Sequence, residues 1–196
     1  MQEHIKNVDI ILTALWKAGV FINAKKSILF TTDVEVLGHR ISCSGIEACD
    51  RKARKILDWP IPRSSTETRQ FLGLVCYLHN FLPDLATHCR ILEQLTQKRF
   101  EQDFPQWTQE HQNAFDAIKH LVVSRDCLTV IDPSLLPEYK IFVTTDASDV
   151  ASGAVLSFGK TWETAHPVAY ESCSFKGAEL NYPVHEKEML SVIKAL

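Results

Sequence analysis

The chain has 196 residues, 45% hydrophobic and 23% charged, with a net charge of −3. That is the balance of a globular chain, and it excludes a mainly disordered or collagen-like protein. The longest apolar stretch, Val8 to Ile22, is cut by Asp9 and Lys17, so no run reaches the roughly 20 residues needed to cross a membrane.

Residues 2–18 read as a helix: Ile5, Val8, Ile11, Leu12, Leu15 and Trp16 follow the helical period and Gly19 stops it. Two strand-like runs follow, Lys26 to Phe30 and Val34 to Ser42, with Ser44-Gly45 as a turn. A helix and two short strands bury too little to stand alone, so this opening reads as the edge of an α+β domain. Residues 50–125 read as helical. Asp50 is expected to cap a helix through Trp59, which Pro60 ends. Ser64 and Glu67 fit a capping box for a second helix running to about Phe81, closed by Pro83. A third spans 84–97 with Leu85, Ile91, Leu92 and Leu95 apolar, and Thr108 caps a fourth whose apolar set is Ala114, Phe115, Ile118, Leu121 and Val122. Helices in series with short connections predict a small bundle. The character then changes: Tyr139 to Thr145, Gly153 to Phe158 and Pro167 to Tyr170 read as strands, and Val184 to Leu196 as a helix with Met189, Val192, Ile193 and Leu196 as its apolar face. The order of elements reads as the end of one domain, a helical unit and the start of another domain.

Charge is unevenly spread: residues 1–60 hold 9 Lys+Arg against 7 Asp+Glu, and residues 131–196 hold 5 against 9. A solvated acidic surface is the ordinary meaning of such an excess, and a metal site the sharper one. The first residues, Met-Gln-Glu-His, lack the basic segment and apolar core of a secretion signal. Cys43, Cys49, Cys76, Cys89, Cys127 and Cys173 are widely and irregularly spaced, which predicts reduced thiols in an intracellular protein. Cys76-x2-His79 with His88-Cys89 fits no common zinc spacing.

The sharpest local signal is Thr145-Asp146-Ala147-Ser148, followed by Asp149. It puts a carboxylate at the end of a β-branched strand, where the backbone fixes the side chain and the end stays accessible. Asp and Ser also end strands simply as turn residues. The second signal is Glu186-Lys187-Glu188 in the last helix. Carboxylates suit a helix N-terminus, but either glutamate could instead join Asp146 around a hard divalent metal such as magnesium, and spacing alone does not choose between them. The third is the basic run Arg51, Lys52, Arg54 and Lys55, which either meets phosphates or forms a solvated face. Phosphate-cradling glycine loops, Gly-x-Ser-x-Gly and His-Glu-x-x-His are missing from the sequence.

Read in order, a series of pieces resembles the pol polyprotein of gypsy-type long-terminal-repeat retrotransposons. They are Leu37-Gly38-His39, Trp59-Pro60-x-Pro62, Arg69-Gln70-Phe71-Leu72-Gly73-Leu74, Phe81-Leu82-Pro83, Phe104-x-x-Trp107-Thr108, Thr145-Asp146-Ala147-Ser148-Asp149, Pro167-Val168-Ala169-Tyr170 and Asn181-Tyr182-Pro183-Val184-His185-Glu186-Lys187-Glu188. The resemblance implies an α+β layout. Residues 1–48 would be the end of a palm-like reverse transcriptase domain and 49–100 a helical thumb that grips primer–template. Residues 101–196 would be a connection helix and the N-terminal part of a ribonuclease H-like mixed sheet with a helix. The parent would carry out RNA-directed DNA synthesis and cleave RNA in RNA–DNA hybrids. Asp146 and Glu188 match two of the four carboxylates that hold Mg2+ in that family, with Glu186 as second choice. The polymerase Asp-Asp strand and the other two carboxylates have no match in this chain, so alone it is expected to be inactive. Implied partners are RNA–DNA hybrid or primer–template duplex and the remainder of the polyprotein, with no membrane. The implied location is the cytoplasm, a retroelement particle or the nucleus. The alternative is a non-catalytic nucleic-acid- or protein-binding module retained from a retroelement. Ala151-Ser152 stands where the family commonly has a glycine, which bears on the turn after Asp146.

Overall fold

The computed structural model describes residues 2–29, 31–125 and 127–196. The chain separates into two compact units, one ending at Thr32 and the other spanning Asp33–Leu196. The first is built on helix α1 (Gln2–Lys17), which has no buried residue of its own. The expected strand from Lys26 is not formed: Ala24–Lys26 is a 3₁₀ turn capped by the Asn23 side chain, and residues 27–29 lie outside any strand. Asn23 offers the backbone a local hydrogen bond that competes with pairing. Phe30, the last residue of that run, lies outside the described residues.

The second unit opens with three antiparallel strands, β1 (Asp33–Val36), β2 (His39–Ser42) and β3 (Gly45–Ala48). The run from Val34 to Ser42 is therefore a hairpin and not one strand. Leu37 and Gly38, both at positive φ, form its two-residue turn, the geometry that matches strand twist. Gly45 must be glycine, since a Cβ there would lie 2.2 Å from the Leu128 carbonyl oxygen. Ile46 and Leu128 exchange backbone hydrogen bonds at that contact.

Four helices follow: α2 (Asp50–Leu57), α3 (Ser65–Cys76), α4 (Leu85–Glu93) and α5 (Gln109–Val123). Cys49, not Asp50, is the N-cap of α2, and it makes no side-chain cap bond. Ser64 caps α3 as expected, its Oγ accepting from the Glu67 amide at 3.2 Å, but Glu67 turns its carboxylate to the Arg63 amide. Helix α3 ends at Cys76, with a separate 3₁₀ turn at His79–Phe81. Thr108 and His111 close a full capping box on α5. The core lies among these helices. Ile56, Phe71, Val75, Leu78, Leu92, Ile118 and Val122 are fully buried, and Phe71 meets Phe115 with ring centroids 4.7 Å apart. Lys119 Nζ donates to the carbonyls of Leu57 and Trp59, satisfying the end of α2.

The last region is an antiparallel sheet of β4 (Lys140–Ala147), β5 (Ala151–Gly159) and β6 (His166–Ser174), in that order, with α6 (Val184–Ala195) packed against β4 and β5. Thr129 donates from its backbone to Pro167, so the segment that pairs with β3 also reaches β6. The apolar face read for α6 is its outer one in this structure. Met189, Val192 and Ile193 are exposed, and the buried residues are Lys187 and Ser191.

Candidate functional site

Asp146 sits one residue from the end of β4, exposed, with Oδ1 accepting from the Ala147 amide at 2.9 Å. The turn after it is held by Ser148: its Oγ accepts from the Ala151 amide at 2.9 Å, and its own amide donates to the Ala151 carbonyl at 2.8 Å. Serine bonding thus closes a turn where the sequence lacks the expected glycine. In register, Asp146 lies opposite Gly153, and Gly153 opposite Ser172. Directly paired residues share a sheet face, so these three form a row across it. Residues 83–88 lie over that row. A Cβ on Gly153 would stand 3.2 Å from Asp84 Oδ1. Ser172 Oγ accepts from the Ala86 amide at 3.0 Å, and Ser174 Oγ donates to the Ala86 carbonyl at 3.4 Å.

Two grooves open where the segment meets the sheet. One of about 200 Å³ is lined by Pro83, Asp84, Asp146, Gly153 and Tyr170 among others. The other, about 330 Å³, is lined by Asp84, Thr87, His88, Asp146, Ser148 and Ser172 among others. Burial pushes His88 below the usual histidine range, against the pull of the Asp84 carboxylate. Nothing in the sequence pattern pointed to Asp84 or Ser172; their contact joins residues 86 positions apart.

Glu188 is half-buried on the second turn of α6 and lines neither groove. Glu186 is exposed in the first turn. Lys187 between them carries the packing: it is buried, its Nζ donates to the Asp149 carbonyl at 2.9 Å and stands 5.9 Å from the Phe175 ring centre. This fastens the start of α6 to the β4–β5 turn. Among the described residues there is no group of three or more His, Cys, Asp or Glu placed to hold a metal ion. Asp146 and Glu188 are donors of the kind magnesium takes, with water completing its octahedron, but the described residues add no third ligand to them. The six cysteines are free, and burial pushes the Cys89 thiol up to about 12, far from the reactive thiolate range.

The four basic residues of α2 have different surroundings. Arg51 pairs with Glu35 at 3.1 Å in an exposed contact. Lys52 lies with Nζ 2.8 Å from the Tyr77 ring centre. Arg54 and Lys55 are exposed, and neither side chain has a hydrogen-bond or ion-pair partner among the described residues. His39 stacks on Tyr77 and on Phe81, with centroids 4.9 and 5.4 Å away. Burial, and then the charge of Lys52, push His39 below the usual histidine range.

Residues 107–196 match the family described as the RNase H-like domain found in reverse transcriptase. Over 194 residues the chain is 38% identical to the Tf2-3 and Tf2-4 transposon polyproteins of Schizosaccharomyces pombe (strain 972 / ATCC 24843). The alignment takes in 99% of this chain and 14% of each polyprotein, so the chain spans only a small part of the relatives it matches. Among solved structures, the foamy viral protease-reverse transcriptase in complex with RNA/DNA hybrid superposes with a TM-score of 0.78 at 26% identity. That match covers 100% of this chain and 26% of the viral one. The same viral protein in complex with dsDNA gives 0.76 at 26% identity, covering 98% and 39%.

Proposed function

We infer that this chain, related along its whole length to gypsy-type long-terminal-repeat retrotransposon polyproteins, is a segment of a reverse transcriptase–ribonuclease H. Its parent carries out RNA-directed DNA synthesis and cleaves RNA in RNA–DNA hybrids. The observation that carries this is the end-to-end identity of 38% to the Tf2 polyproteins, supported by the fold likeness to a viral reverse transcriptase held on nucleic acid. In this reading residues 1–48 end the palm, 49–100 are the thumb, and 101–196 begin the ribonuclease H-like domain.

The thumb holds duplex through its phosphates. Arg54 and Lys55 are the free cations of α2 and make this contact; Arg51 and Lys52 join by leaving Glu35 and Tyr77. Such contacts give affinity without sequence preference. Asp146 and Glu188 supply two carboxylates of a hydrolytic set whose other members come from the rest of the polyprotein. Magnesium, when bound by the complete set, supplies charge stabilisation and an activated water. In this reading hybrid cleavage requires the complete set.

Titration of the purified chain with RNA–DNA hybrid tests this reading. We expect binding that weakens with salt, and Arg54→Ala with Lys55→Ala should lower the salt slope by about 2. Hybrid binding that stays undetectable at tens of micromolar in low salt, or that ignores salt, overturns the thumb assignment. In a chain extended with its following sequence, Asp146→Asn should abolish hybrid cleavage; an indifferent enzyme overturns the nuclease assignment.

A further inference from the structure

We propose that the outer edge of β4 is an interaction surface for a second copy of this chain, which lays its own β4 antiparallel beside it about a two-fold axis through Val143. The proposal stands apart from the nuclease reading of Asp146.

The backbone shows which groups the edge offers. Strand β4 lies at one side of its sheet and pairs with β5 alone. In an antiparallel ladder alternate residues turn their amides and carbonyls to the same neighbour. Ser148 fixes which ones: its amide donates to the Ala151 carbonyl, two residues beyond the Asp146–Gly153 pair in the same ladder. The even-numbered residues of β4 therefore serve β5, and Ile141, Val143 and Thr145 turn their backbone groups outward. Those groups have no hydrogen-bond partner among the described residues. Ala147, next in that row, has its amide satisfied by the Asp146 side chain. The side chains of Ile141 and Val143 are also left 48% and 43% exposed. The strand has no proline, and its pairing with β5 has no bulge. Such a long, regular edge is a template for another strand.

The order of residues in β4 selects a copy of itself. Outward groups meet only outward groups, so in a pair of β4 strands residues of like parity face each other. A register centred on Phe142 sets Asp146 opposite Glu138, a like charge, and one centred on Thr144 sets it opposite Phe142. The register centred on Val143 sets Asp146 opposite Lys140, and the two-fold axis makes that pair twice. It also sets Ile141 opposite Thr145, Phe142 opposite Thr144 and Val143 opposite its copy, the β-branched and aromatic pairs that stabilise sheets. Lys140 and Asp146 fall at the non-hydrogen-bonded positions, where facing side chains come closest. Both are exposed, and Lys140 has no ion-pair partner among the described residues. A lysine on an edge ordinarily deters pairing; this register neutralises it. The product is one six-stranded sheet with both copies of α6 on the same face.

Sedimentation equilibrium and amide exchange on the whole chain test this. Over roughly 10–500 μM the mass should rise from 22.2 kDa toward twice that value. The amides of Ile141, Val143 and Thr145 should slow as it rises, and those of Phe142 and Thr144, already turned to β5, should change less. Lys140→Asp turns two opposite-charge pairs into like-charge ones and should weaken association about tenfold, as should Asp146→Lys. Combining the two changes restores both pairs with their signs exchanged and should return the affinity. A chain that stays monomeric throughout overturns the proposal. So does a dimer whose three outward amides stay fast, which would place the contact elsewhere, as on the outer stripe of α6. A double variant that associates no better than either single one overturns it as well.

Discussion

Helices α5 and α6 carry similar apolar periodicity and have opposite fates. In α5, Ala114, Phe115, Ile118 and Val122 are at most 2% exposed. In α6, Met189, Val192 and Ile193 are 64%, 43% and 64% exposed, while Lys187 and Ser191 are buried. The difference lies in what faces each stripe. Helix α5 meets an aromatic layer, with Phe115 between Phe71 and Trp107, and a stripe that finds such a layer becomes core. Helix α6 packs on β4 and β5 with Ser191 and Lys187 as its buried residues and Leu190 half-buried, and the Lys187 charge is led out to the Asp149 carbonyl. Periodicity states that a helix has two faces; it does not state which face the rest of the molecule will use.

Removing one residue from each stripe breaks this comparison most sharply. Phe115→Ala should cost ~3–5 kcal/mol, the usual range for emptying a packed aromatic site. Ile193→Ala should cost under ~0.5 kcal/mol, as for an exposed position with no partner. Urea unfolding of both variants measures this. Similar losses would mean that the outer face of α6 is packed in solution. A Phe115→Ala loss below ~1 kcal/mol would mean that the aromatic layer is not the core.

How the helices begin gives a smaller contrast of the same kind. Ser64 caps α3 with its side chain, whereas Pro183 at the N-cap of α6 makes no side-chain bond. Ser64→Ala should cost ~1 kcal/mol, and Pro183→Asp should add ~0.5–1 kcal/mol by capping a helix that lacks one. The second change is read locally, as slower amide exchange in the first turn of α6. No change there would show that Lys187, not the missing cap, limits fraying.

The parts of the molecule that were legible in its sequence follow the same division. Helix α5, its Thr108 cap and its buried stripe were readable because local signals agreed with the packing. The strands of the β4–β6 sheet were readable from the sequence, and Asp146 from its place at a strand end. What stayed hidden depends on distant partners. The positive φ of Leu37 and Gly38 splits a continuous apolar run into a hairpin. Asn23 replaces an expected strand with a 3₁₀ turn. Asp84 gives up a cap that Ser172 supplies from far along the chain. Of the candidate site, Asp146 and Glu188 could be named as candidates, but not Asp84, which lines both grooves beside Asp146. The basic run could be named, but not its division between the tied Arg51 and Lys52 and the free Arg54 and Lys55.

The smallest expected effect concerns the hairpin's attachment to the helices, and it is read through pH. His39 of β2 stacks on Tyr77 and Phe81, with Nδ1 buried and unpartnered among the described residues, near the positive charge of Lys52. Its folded value lies below the unfolded one of ~6.5, so the unfolded chain takes up the proton first. Stability is then full above ~6.5 and falls as pH drops from there toward the folded value. His88, displaced in the same direction, adds to the slope. Melting temperature should therefore drop between about pH 6.5 and 5, and His39→Phe, which keeps the aromatic stack and removes the proton site, should flatten the drop while leaving the share due to His88. A His39→Phe chain with the full pH slope would place the proton uptake elsewhere. A chain whose stability rose on acidification would reverse the sign and remove His39 as the anchor that makes the hairpin part of the helical core.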